Sequence, residues 1–97
     1  MTKFGEIINI QKPVLIDFYF DWDDTENNLD TLRDVAAALG DKAKVIKIDI
    51  KKNEILASAL KVKGNPTFMI YKNGEMMWRK TGEQDANTLI GLVQQYV

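Results

Sequence analysis

From Pro13 to Phe20 the chain reads Pro-Val-Leu-Ile-Asp-Phe-Tyr-Phe, a β-branched and aromatic run broken by a single acid. A strand that must be apolar on both faces reads this way, which is the pattern of a central parallel strand. The period then changes. Leu29, Leu32, Val35, Ala36 and Leu39 recur at helical spacing, and Gly40 stands where a left-handed C-terminal cap is wanted. Ala43 to Ile50 alternates polar with apolar as a second strand. Strand, long helix and strand in this order require a parallel crossover.

The second half follows a different plan. Asn53 can cap a short helix that carries Leu56, Ala59 and Leu60 and ends before Gly64. Thr67 to Tyr71 and Glu75 to Lys80 flank Lys72-Asn73-Gly74, and Asn-Gly between two strand-like runs signals a tight hairpin. Met76, Met77 and Trp78 read as alternating core and surface positions of the last strand, with Met77 or Trp78 able to form an exposed edge patch that would favour self-association. Gly82 breaks that strand, Asp85 is an N-cap, and Leu89, Leu92, Val93 and Tyr96 mark the inward stripe of a closing helix. Gly91 weakens this helix by about 1 kcal/mol. Phe4 to Ile8 predicts a short N-terminal helix.

Composition narrows the class. With 97 residues, 45% hydrophobic and 28% charged, the chain makes one ordered domain spanning 1–97. Its formal net charge of −1 is spread along the sequence, so neither nucleic acid nor an anionic membrane is an expected partner. No stretch has the length of a membrane span and the N-terminus lacks the form of a signal peptide, so the expectation is a soluble, cytoplasmic monomer. The chain has no cysteine and no histidine. The acids Asp21, Asp23, Asp24 and Glu26 invite a hard cation, but they lack EF-hand spacing and serve better as caps at a helix start. Neither a metal nor another cofactor is expected.

Three collinear motifs give the chain a relative. Val14-Leu15-Ile16-Asp17-Phe18-Tyr19-Phe20-Asp21-Trp22, Gly64-Asn65-Pro66-Thr67 and Lys72-Asn73-Gly74-Glu75 resemble the active-site strand, the cis-proline loop and the hairpin turn of the thioredoxin family. The resemblance runs from Pro13 to Val97. It implies an α/β thioredoxin fold, with a central four-stranded mixed sheet in the order 2-1-3-4 flanked by helices. Too few residues precede Pro13 for the family's N-terminal edge strand, so that strand is expected to be missing.

The resemblance also locates a loss. Trp22-Asp23-Asp24-Thr25-Glu26 stands where the family carries Trp-Cys-Gly-Pro-Cys, which puts Asp23 and Glu26 in the two cysteine positions. Dithiol exchange needs a thiolate nucleophile and a resolving thiol, and a carboxylate replaces neither. The implied peptide groove involves Trp22, Asp23, Asp24, Asn65, Pro66, Gly82 and Glu83. Asp17 matches the family's buried acid and Lys47 its neighbouring lysine, so Asp17 is expected to be a structural acid with a raised pKa, paired with Lys47. Two functions remain. One is a redox-inactive module that binds a protein or extended peptide through main-chain pairing. The other is a thioredoxin-type disulfide oxidoreductase by family assignment, serving cell redox homeostasis without catalytic cysteines of its own.

Overall fold

In a computed structural model the chain folds as three layers, a sheet with helices on both faces. The structure describes residues 3–19, 26–62 and 66–97. The elements in chain order are α1 (Lys3–Ile8), β1 (Val14–Tyr19), α2 (Glu26–Leu39), β2 (Lys44–Asp49), α3 (Glu54–Ala59), β3 (Thr67–Lys72), β4 (Glu75–Thr81) and α4 (Ala86–Gln94).

The sheet has four strands in the order β2-β1-β3-β4. β1 pairs with β2 in parallel, from Val14 opposite Lys44 to Tyr19 opposite Asp49, while β3 is antiparallel to both β1 and β4. This is the expected mixed sheet, and the described residues before β1 form the helix α1 rather than a strand. β1 lies between two neighbours, and Val14, Leu15, Ile16, Asp17 and Phe18 are each fully buried. Side chains alternate across a pleated strand, so β1 supplies both cores. Leu15 joins Leu32, Val35 and Leu39 of α2 and Leu89 and Val93 of α4 on one face. Val14, Ile16 and Phe18 pack on the other with Ile8 of α1 and Ala57 of α3.

Local sequence explains most of the joints. Gly40 adopts φ +56°, the left-handed conformation that ends α2. The hairpin between β3 and β4 turns through Asn73 at φ +55° and Gly74 at φ +83°, two positive values in a row as a type I′ turn needs. The segment after α1 is fastened to this turn, since Asn73 N–H donates to the Ile10 carbonyl at 2.9 Å and Gly74 N–H to the Ile8 carbonyl at 3.0 Å. Phe4 meets the Tyr71 ring edge-on, with centroids 5.5 Å apart. Burial pushes the Tyr71 phenol above its ordinary pKa, opposed by the Arg79 charge.

Two local expectations are corrected. The Asn53 side chain does not cap α3; its amide donates to the Asp49 carbonyl at 2.9 Å. Asp49 takes the capping part instead, its Oδ1 accepting Lys51 N–H at 2.9 Å where the chain leaves β2 in a 3-10 turn. An acid at a strand end can satisfy the next turn's amides before the following helix begins, and this shifts the cap upstream. Nor do Met76, Met77 and Trp78 alternate cleanly. A register shift at Ile70/Tyr71 leaves Met76 and Met77 both exposed, at 42% and 40%, while Trp78 packs against the α2/α4 core. The far end of α3 is closed by tertiary contact: Arg79 of β4 donates to the carbonyls of Leu60 and Lys61, each at 2.6 Å.

In α4, Gly91 is exposed and a Cβ built there meets nothing within 4 Å. Gly91→Ala is therefore expected to raise stability by about 0.5–1 kcal/mol, read as a higher urea midpoint at unchanged slope. Asp85 caps the same helix, its Oδ1 accepting Thr88 N–H at 2.8 Å, and that backbone hydrogen bond holds the exposed carboxyl below the ordinary aspartate range. Because the folded value is depressed, the cap's contribution is complete above about pH 4 and is lost as pH falls through the folded pKa. Asp85→Ala is expected to melt below wild type at neutral pH, with the difference closing in acid.

Candidate functional site

The site is framed where β1 ends and β3 begins. Because these strands are antiparallel, with Phe18 opposite Thr67, the start of β3 lies beside the last residues of β1. Pro66 sits just ahead of Thr67 and is buried. Proline has no N–H to return to the opposite Gly82, whose carbonyl accepts from the Gln84 side-chain amide at 3.4 Å. The Pro66 carbonyl is used: Gly82 N–H donates to it at 2.8 Å. The hydroxyls of Thr67 and Thr81 meet one residue further into the pair, at 3.4 Å. Pro66, Gly82 and Glu83 therefore come together as a rim, with Glu83 exposed.

Gly82 carries its part by conformation. At φ +107° it occupies a region that side-chain-bearing residues rarely adopt, although a Cβ there would touch nothing within 4 Å. The glycine is required by the turn of the backbone, not by crowding. That turn aims its N–H at Pro66.

Beneath this rim, Asp17 is fully buried and belongs to the β1 face that carries Leu15. Lys47 is its register partner on β2, so the two residues project to the same side of the sheet. The lysine is half-buried, and its Nζ lies 4.4 Å from the centroid of the Tyr19 ring. Tyr19 is two residues beyond Asp17 on the same face. A cation over an aromatic face is stabilised by the ring quadrupole, by about 0.5–2 kcal/mol depending on solvent access. The sequence reading missed this role for Tyr19, whose signal was present in the i, i+2 spacing from Asp17 next to a strand bearing a lysine.

Of the remaining groove positions, Trp22, Asp23, Asp24 and Asn65 lie outside the described residues, as do Asp21 and Gly64. Glu26 begins α2. The described frame is thus Tyr19, Asp17 and Lys47 below, with Pro66, Thr67, Thr81, Gly82 and Glu83 along one wall.

The comparisons with known proteins bear on this frame directly. The thioredoxin family model matches residues 1–95. The chain belongs to the thioredoxin family. It is 37% identical over 95 residues to a chloroplastic thioredoxin Y of Oryza sativa subsp. japonica, covering 96% of this chain and 56% of that protein. It is 31% identical over 93 residues to the thioredoxin of Rickettsia felis, covering 95% of this chain and 89% of that one. A solved mutant thioredoxin from Halobacterium salinarum NRC-1 superposes with a TM-score of 0.81 at 34% identity, covering 99% of this chain and 84% of that chain. The chain spans about half the length of the plant thioredoxins it matches. Against this family membership stands the absence of any cysteine, so the thioredoxin frame carries no thiol. Among the described residues no helix is long and apolar enough to cross a membrane.

The Gly82 geometry yields a test. Gly82→Ala is expected to cost about 1–3 kcal/mol of stability from backbone strain alone, measured by urea denaturation. In a 15N spectrum the amide of residue 82 should lose the downfield position that its bond to Pro66 gives it. A variant as stable as wild type would show that the turn tolerates a side chain.

Proposed function

We propose that this thioredoxin-family chain is a redox-inactive binding module, taking an extended peptide segment of a partner protein into the groove between Trp22 and the Asn65-Pro66 loop. The observation that carries this reading is the pairing of a kept frame with a lost nucleophile. Pro66 remains buried with its carbonyl bonded to Gly82, and no sulfur is available to exchange. Carboxyl groups at positions 23 and 26 can repel, accept hydrogen bonds and cap a helix, but they cannot open a disulfide by exchange. Main-chain pairing with an extended peptide needs no thiol, only exposed backbone groups and a shaped wall.

In this reading Pro66 follows a cis peptide bond, as the family resemblance implies, and Trp22 supplies the apolar side of the groove. Asp23, Asp24 and Glu83 form an acidic margin, so the module prefers a ligand with basic residues. It works in the cytoplasm as one domain. Buried Asp17 and half-buried Lys47 form the support below the groove rather than a proton shuttle, because no thiol is present to exchange a proton with them.

Affinity capture from the source cell, with wild type beside the double variant Trp22→Ala, Asn65→Pro, tests the site. Partners retained by wild type and lost by the variant are the expected outcome, with capture weakening as salt rises from about 50 to about 500 mM, since Glu83 is exposed and charges at such a rim are screened. Equal capture by both forms would remove the groove from the account.

A further inference from the structure

We propose that β4 is a self-complementary edge, through which two copies of this chain associate antiparallel about a two-fold axis at Trp78. β4 closes the sheet on the side away from β2, and among the described residues no strand pairs with its outer side. The Pro66 carbonyl takes the Gly82 N–H, so alternation along the antiparallel pair turns the peptide groups of Lys80 and Trp78 inward to β3 and those of Arg79 and Thr81 to the open side.

The edge is patterned by charge. Phe68 and Ile70 belong to the α2/α4 core, and Lys72 Nζ donates to the Tyr96 carbonyl just past α4 at 2.6 Å, so these three β3 residues share one face. Their register partners Lys80, Trp78 and Glu75 share it too. The irregularity at Ile70/Tyr71 gives β4 one extra residue between Glu75 and Trp78. Glu75 and Lys80 therefore each stand two ladder steps from Trp78, about 7 Å away in opposite directions. Both charged residues are exposed, and the row reads acid, indole, base.

A two-fold axis reverses that row. Trp78 then meets Trp78 of the second copy, while Glu75 meets its Lys80 and Lys80 its Glu75, which sets two opposite-charge pairs around an aromatic pair. Arg79 falls opposite Met76 and Met77 of the second copy, whose exposed thioethers adapt readily to a new contact. The Arg79 guanidinium adds no repulsion, because the Leu60 and Lys61 carbonyls hold it on the other face. Moving the axis to Arg79 or Lys80 would set a base against its own copy, so charge fixes the register. An unrelated strand has no reason to carry the matching row, whereas a second copy carries it by symmetry. With a net charge of −1, two copies repel little at long range. The expected monomer is then the dilute form.

Sedimentation velocity of the whole chain, from micromolar to millimolar, is expected to show a reversible rise towards twice the monomer mass, with concentration-dependent 15N shifts centred on Trp78 and Arg79. Glu75→Lys sets like charges together at both ends of the row and should weaken association by roughly tenfold, as should Lys80→Glu. Both positions are exposed, so neither change threatens the fold. Mixing the two single variants restores both pairs and should return the dimer as a one-to-one heterodimer, which a loss of stability would not produce. The proposal is overturned by a monomer mass at millimolar chain, by self-association that the charge reversals leave unchanged, by single variants whose mixture stays monomeric, or by shifts centred on β2 or on Gly82 and Glu83.

Discussion

Burial of β1 on both faces is the constraint on which the rest of the molecule depends. Ile16 and Phe18 anchor the layer formed by α1 and α3, while Leu15 anchors the layer formed by α2 and α4, so a single six-residue strand holds both cores in register. Fully burying side chains of this size contributes about 1.5–3 kcal/mol each. Its two neighbours run in opposite directions, which places the start of β3 against the end of β1 and so positions Pro66. The candidate groove is a consequence of this sheet order.

That order was legible because strong signals happened to be local. The apolar run in β1, interrupted by Asp17 alone, the helical stripe of Leu32, Val35 and Leu39, and Asn73-Gly74 each state their own structure, and the crossover rule joins β1, α2 and β2. The sequence was less informative where a contact at a distance decides. Arg79 closes α3 from β4, Lys47 finds the Tyr19 ring, and the shift at Ile70/Tyr71 turns Met76 and Met77 outward. Asp49 displaced Asn53 as a cap because both types compete for the same amides, and spacing alone does not rank them. Of the proposed groove positions, Pro66, Gly82 and Glu83 were assigned by resemblance to the family; Gly82 N–H bonds to the Pro66 carbonyl and Glu83 follows it in the chain. Trp22, Asp23, Asp24 and Asn65 are assigned by resemblance and lie outside the described residues.

The proposed groove is assigned by resemblance to the family, and of its acids Glu83 is exposed at the described rim. A thioredoxin frame that takes up an extended peptide, as proposed, needs no thiol to do so. It needs main-chain groups held still, which the doubly buried strand supplies.

The account's central claim is that the fold persists here without dithiol exchange. Reduction of insulin by dithiothreitol, followed as turbidity with and without the purified chain, tests it most directly. The account requires the two rates to coincide at every chain concentration. An acceleration proportional to added chain would contradict it.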